Sequence, residues 1–574
     1  MSAAKSSEVR DIHRSPLGSM AACSGVVSNR EKRCGSLDFS DHNEESAEKR
    51  LADKVYADLV VMEEECTRFC RRLSKSQAKI SHPEWQQLSG LHCTLLEEHY
   101  DFYLASQLPE ASPAIMELAE NEVPARLWNI GINQLLELQS YRRPDSLEHM
   151  LTFIHFSYSM LTLLLDTVPR FELIWMECLG DLARYRMAIV ADSPGYEFWS
   201  RISRYWYCKK MDEAPESGRI QHHLGVLCQR DIVQRLYYYT KAYISVHPFP
   251  ARESILPLFD SANQRSTPNQ DQVATLFVRV HGQLFTQGVT NQAIKLAGSF
   301  LSDLEIYIGR MGAAFRLKGV YIMSANFAAV FKYGQVDALL SAKFNQSTEL
   351  ANFSICQSDS ETPARRLETV KSNINNSSRY SQLAFSLSLA FQTFSIALDQ
   401  IGNKNVYPTI HITLAFIWCL ALNGDTIKHV EIFIPWSNLA AFLNTMIRDI
   451  TNIRVIESKY FPVFEGGRKQ VPEDFCIRGQ SWSKNYYPPD FFKRDPGEDD
   501  ERFVEEPSLN MSRAYRCLWL GVQVAQFNRW LVYDSTSQRF SATTFSLEQK
   551  TILQFLSIRR PTLPYNSLDS SEVA

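Results

Sequence analysis

The segments Cys178–Ile189, CLGDLARYRMAI, and Trp206–Asp260, WYCKKMDEAPESGRIQHHLGVLCQRDIVQRLYYYTKAYISVHPFPARESILPLFD, decide the fold class. Apolar residues recur in them at three and four positions, the period of an amphipathic helix. Pro194, Pro215 and Pro248 punctuate the pattern. The spacing predicts helices over 173–190, 198–213, 218–229 and 231–246. Pro215 and Pro248 lie 33 residues apart, and each closes a helix pair. Tetratricopeptide units repeat at about 34 residues and end in proline. Leu179-Gly180 and Leu224-Gly225 place a glycine in the first helix of each pair, where it lets helices approach closely. Ser203, Tyr207 and Pro215 fill small, aromatic and proline positions of a second helix. The competing reading is an ordinary helical array with coincidental prolines.

The same period extends in both directions. Leu51, Val55, Leu59, Met62, Cys66 and Phe69 mark a helix over 51–73. A second runs from Trp85 to Leu108, and a third begins at Pro124, a favoured first-turn residue. Pro144 ends it. Asp145 with Glu148 has the form of a capping box before an apolar helix over 147–165. Beyond Asp260, helices are expected at 272–288, 291–310, 313–333, 382–402, 408–423, 436–449 and 511–526. A short strand is expected at Trp530–Tyr533. No alternation of strand and helix appears, so the fold class is all-α, built from stacked antiparallel helices. Residues 1–46 read as a disordered tail, 355–381 as a flexible linker or loop, and 455–500 as irregular. Residues 535–574 read as a partly disordered C-terminal extension.

Composition narrows the function. The chain has 574 residues, a formal net charge of -4 and 45% hydrophobic residues. It has no global basic field, so nucleic-acid binding must rest on a local patch. The twelve cysteines include no CxxC pair. Cys66 and Cys70 read as buried thiols, and scattered cysteines suggest a reducing compartment. Apolar runs near 147–165 and 409–422 are broken by His149, His155 and His411, so no membrane span or membrane partner is expected. HExxH, GxSxG and a phosphate-binding loop are all missing. The expectation is a protein that is not an enzyme and has no catalytic residue, metal site or cofactor.

The runs quoted above combine LGD-ARYR, P-x-x-G, YYY-x-K and PF-x-AR-x-S in order. This combination resembles the telomerase-activating "ever shorter telomeres" family and the related nonsense-mediated mRNA decay adaptors. Leu127–Asn129 (LWN), Ile434–Asn444 (IPWSNLAAFLN), Val471–Trp482 (VPEDFCIRGQSW) and Arg516–Ala525 (RCLWLGVQVA) extend the resemblance over most of 50–530. It implies a 14-3-3-like domain with tetratricopeptide-like helices over 47–260. A helical-hairpin domain of DNA/RNA-binding type follows over 261–534, without a C-terminal PIN nuclease domain. The function it implies is a non-enzymatic adaptor in telomere maintenance or mRNA decay, in the nucleus, the cytoplasm or both. The implied partners are a protein, phosphorylated or not, telomerase RNA, single-stranded DNA or an mRNA-decay complex.

In the family's phosphopeptide groove an Arg-Tyr pair faces the phosphate, and Arg184-Tyr185 matches it. A guanidinium can fork onto phosphate oxygens. The bland alternative for Arg184 is an ion pair with Asp181 at i−3. A groove lysine of the family corresponds to Asn133 here, a departure that removes one cation. Arg126, Arg142 and Arg143 stand nearby as replacements. A second surface combines Arg219, Arg235, Lys241 and Tyr238, residue types that neutralise phosphates and stack on bases. Helix packing with a solvated rim is the alternative. His222-His223 makes a poor metal pair, because adjacent helical residues do not face one ion.

Overall fold

The computed structural model describes residues 41–76, 78–109, 111–190, 195–264, 271–341, 361–462, 470–493, 505–553 and 556–558. It is all-α: among the described residues, the only sheet is one antiparallel two-stranded ribbon. The chain groups into two compact units, one ending at Ala214 and one beginning at Pro215. The sequence reading places the corresponding boundary after Asp260. The difference has a local cause. Tyr237 and Lys241 bond to the carbonyls of Cys476 and Phe475, which ties 232–244 to the later unit.

The first unit opens with α1, Asp41–Lys75, and α2, His82–Ser106. Leu59, Cys66, Phe69, Cys70 and Leu73 form one buried side of α1. The backbone N–H of Ser81 donates to Glu84 at 2.8 Å and closes the start of α2. α3, Pro113–Asn121, is capped by Ser112. α4, Val123–Arg126, runs through a π-helical turn at Leu127–Asn133 into α5, Gln134–Tyr141. Trp128 and Ile132 are buried within that turn. α6, Leu147–Thr167, starts after Ser146, not in the capping box expected from Asp145 and Glu148. Asp145 instead pairs with Lys79 at 3.0 Å. α7, Glu172–Ile189, and α8, Gly195–Glu213, complete the unit. Tyr103, Phe171 and Trp175 pack together in its core, with Tyr103 and Trp175 centroids 4.8 Å apart. The free thiols of Cys66 and Cys70 are buried as expected, and burial pushes the Cys70 thiol up to about 12.

The second unit begins with the hairpin of α9, Gly218–Leu227, and α10, Ile232–Ile244. Next come α11, Arg252–Gln264, α12, Gln272–Thr286, α13, Asn291–Met311, and α14, Phe315–Val330. The expected linker is not one over its described part. Thr362 caps α15, Pro363–Asn376, and Pro363, Arg366, Leu367, Val370 and Ile374 are its buried side. α16, Ser378–Leu398, is long and apolar enough to cross a membrane, but most of it is buried inside the structure. α17, Tyr407–Ala421, α18, Trp436–Met446, the short α19, Pro472–Ile477, and α20, Leu509–Ala525, follow. The ribbon of β1, Leu531–Asp534, and β2, Arg539–Ala542, pairs Tyr533 with Phe540. α21, Thr544–Ile552, comes after it. The C-terminal extension is therefore structured through α21, and Gln549 donates to the carbonyls of Ile432 and Ile434 at 2.7 Å. The tail expected at 1–46 lies outside the described residues up to position 40, and α1 begins at Asp41.

Candidate functional site

α7 and α8 form the hairpin that carries LGDLARYR. Gly180 sets its spacing: a Cβ there would lie 2.5 Å from the Tyr207 ring, so only glycine lets α8 come this close. The Ser203 hydroxyl donates to the Gly180 carbonyl at 2.8 Å. Gly225 plays the matching part in the other Leu-Gly helix, where a Cβ would lie 2.8 Å from the Tyr239 ring. Both glycines thus act in helix approach, as their positions in the sequence suggest.

Next to Gly180 sits a buried polar network. Arg184 Nη2 lies 2.9 Å from Asp181 Oδ1, and both side chains are sealed from solvent. The Tyr207 hydroxyl donates to the same carboxylate at 2.6 Å. Lys210 pairs with Glu177. Burial alone would depress the Arg184 guanidinium, but Tyr207 and Asp181 beside it hold it above its usual value. Arg184 therefore already has a carboxylate partner, and a phosphate would have to compete with Asp181 for it. Tyr185 is also buried, at 2% exposure.

Asn133 closes the π-helical turn and is half-buried. It bonds to Glu137, whose carboxyl is raised by burial and partly lowered again by that bond. π-helical turns are frequent at functional sites. Two of the nearby cations have structural partners. Arg126 holds Glu63 through Nη2 at 2.6 Å and Tyr56 through Nη1 at 2.9 Å. Arg142 donates to the carbonyls of Leu73, Ser76 and Ala78.

The second set of candidates lies on α9 and α10. Tyr237, Tyr238 and Tyr239 are all buried. Lys241 is 2% exposed, and its ammonium donates to the Phe475 carbonyl at 3.3 Å. Burial lowers its pKa to about 8. Arg235 lies over the Tyr239 ring, 5.7 Å from the centroid. Arg219 and Arg235 keep partial exposure, whereas Tyr238 and Lys241 point into the unit. His222 packs on Tyr239 and Phe249.

One set of residues stands out only in the structure. α8 buries Ser203, Tyr207 and Met211 and turns Phe198, Arg201, Tyr205 and Lys209 outward. Their spacing was visible in the sequence, but which face the hairpin would cover was not.

No family model matches the chain. The chain is distantly similar to EST/SMG-like protein 2 of Saccharomyces cerevisiae, 21% identical over 188 residues, which is 31% of this chain. The match spans 15% of that relative's length.

Proposed function

We propose that this chain is a non-enzymatic adaptor of the EST/SMG type that docks a protein partner on its N-terminal helical unit and serves telomere maintenance or mRNA decay. The observation that carries the reading is the α7–α8 hairpin. The segment with the most specific resemblance, Cys178–Ile189, lies in a pair of helices locked by the Gly180–Tyr207 approach and by buried charge. A rigid helical face of this kind presents side chains without paying for their ordering at each encounter. The distant similarity to EST/SMG-like protein 2 supports the same class.

Docking that depends on phosphate would use Arg184 and Tyr185, with Asn133 in place of a cation, and requires Arg184 to exchange Asp181 for phosphate. Docking that does not depend on phosphate needs no such exchange, and the burial of the Arg184–Asp181 pair favours it. The test is affinity capture by the full chain from nuclear and cytoplasmic extract, with and without nuclease or phosphatase. Capture of telomerase or decay proteins that survives both treatments is the expected result. Loss on nuclease treatment would transfer the role to nucleic-acid binding. RNA hydrolysis by the purified chain with a divalent metal, abolished by chelation, would overturn the non-enzymatic reading.

A further inference from the structure

Among the described residues, the outer face of α8 carries a stripe that is exposed or half-exposed. Phe198, Ile202, Tyr205 and Lys209 recur at i, i+4, i+7 and i+11, which aligns them along one side of a helix. Phe198 is 54% exposed and Tyr205 48%. The opposite face, with Ser203, Tyr207 and Met211, is the one that packs, so these two rings are not spent on the core. Trp199 and Trp206 flank the stripe, each in an edge-on pair with Phe198 or Tyr205.

Cations rim the aromatic residues. Lys209 Nζ lies 5.2 Å from the Tyr205 centroid and 5.8 Å from that of Trp206. Arg186 lies over Trp199 at 5.5 Å. Among the described residues, Arg201 reaches the Glu197 carbonyl, at 3.5 Å. Among the described residues, no carboxylate pairs with Arg186, Arg201 or Lys209. Glu197 and Glu213 bound the stripe at its two ends. Exposed aromatics clustered with unpaired cations mark a recognition surface.

We propose that this face docks an acidic amphipathic helix of a partner protein, a reading that rests on the adaptor role and names the chemistry of its partner. The apolar side of that helix meets Phe198, Ile202 and Tyr205, and its carboxylates meet Arg186, Arg201 and Lys209. Eleven steps of about 1.5 Å from Phe198 to Lys209 make the stripe about 16 Å long, which suits roughly three turns. Charge selects this occupant. A carboxylate can meet each cation where it stands. A nucleic-acid base stacking on the capped face of Tyr205, Trp206 or Trp199 would first have to displace Lys209 or Arg186.

The test uses the full chain and a fluorescent synthetic helix of about eighteen residues, with Leu on one face and Glu on the other. Anisotropy should report binding by the natural chain. The double variants Phe198→Ser/Tyr205→Ser and Arg201→Glu/Lys209→Glu should each weaken it about tenfold or more. All four positions are exposed or rimming, so unchanged melting curves confirm that the variants fold. A peptide with Lys replacing Glu should bind the charge-reversed variant and not the natural chain. Equal binding by natural chain and variants, or no binding, overturns the proposal. So does a single-stranded oligothymidylate that binds with the same sensitivity to both double variants. Failure here while the variants still capture the same proteins from extract leaves the adaptor role standing; failure of capture by the natural chain counts against that role alone.

Discussion

Arg513 grips Glu473 along one edge of its guanidinium: Nε lies 2.9 Å from Oε1 and Nη2 lies 2.9 Å from Oε2, and both side chains are sealed from solvent. His411 Nδ1 also reaches Glu473, at 3.0 Å, and Arg513 continues to Glu505 at 2.8 Å. One residue along, Asp474 pairs with Arg516 at 2.6 Å. Two segments of the resemblance, VPEDFC and RCLWLG, thus meet in one buried charge network. Removing one member strands its partner in a low-dielectric interior, which costs about 3–5 kcal/mol. Arg513→Leu should lower the unfolding free energy by that amount. Pairing it with Glu473→Leu should recover most of the loss. Denaturant titration of the single and double variants checks both statements, and equal damage in the two would show that shape, not charge, holds the joint.

The same pair sets an acid limit. Burial alone would lift the Glu473 carboxyl, but the Arg513 charge and the hydrogen bonds from His411 and Arg513 hold it well below the usual carboxylate range. A carboxylate depressed in the folded state contributes stability that is complete above its unfolded value, about 4.3. That stability is lost as pH falls below there toward the folded value. Unfolding free energy should therefore drop between about pH 4 and pH 2, and Glu473→Gln should flatten the drop. Urea titrations across this range measure the slope.

Lys241 gives an alkaline counterpart with the same direction. Its folded pKa is about 8, against an ordinary value of 10.5. Above about pH 8 the unfolded chain keeps this proton and the folded chain releases it, so the Lys241 contribution to stability grows as pH rises and is lost as pH falls back through 8. Buried thiols and phenols with raised pKa values, such as Cys476 at about 12, pull the other way once the unfolded groups ionise. The useful quantity is thus the difference between natural chain and Lys241→Met from pH 7.5 to 9. It should widen in favour of the natural chain as pH rises. A pH-independent difference would mean that folded Lys241 keeps its proton over this range, as a solvated lysine does.

Gly180 tests the hairpin that carries the resemblance. A Cβ at this position meets the Tyr207 ring at 2.5 Å, inside any normal contact. Gly180→Ala should destabilise the first unit by about 1–3 kcal/mol, the usual cost of overpacking. Tyr207→Leu in the same chain should relieve part of that clash, although it also removes the bond to Asp181. Thermal melting of the single and double variants gives the coupling. Additive losses would place the clash elsewhere.

How much was legible depended on whether a residue's partner lay nearby in sequence. The helices at 173–190 and 218–229 emerge as Glu172–Ile189 and Gly218–Leu227 because amphipathic period and proline breaks are local signals. The i−3 partner of Arg184 was visible for the same reason. Lys241 looked like a surface candidate because its partner, Phe475, lies more than 230 positions away. The outward turn of Phe198 and Tyr205 was hidden because each side of α8 carries aromatics, and only packing against α7 chooses between them.

α15 is the plainest failure of local signal, and it yields the last test. Its low apolar content suggested a linker, because its anchor is a charge. Arg366 is buried at 9% exposure, with Nε 3.1 Å from Glu431 and Nη1 2.7 Å from Glu361. Glu431 also accepts from Arg529 at 2.7 Å and from the Trp530 indole at 2.7 Å. α15 is thus pinned to the carboxylate that anchors the start of the ribbon, while Leu367, Val370 and Ile374 cover apolar surface. Arg366→Met keeps the stem but leaves Glu431 with fewer donors, so α15 should open locally before the unit unfolds. Limited trypsin digestion should cut at Lys371 at least tenfold faster in the variant, a shift of about 1.4 kcal/mol in local opening. Equal cleavage rates would mean that the apolar side alone holds the helix, and the charge would then serve only Glu431.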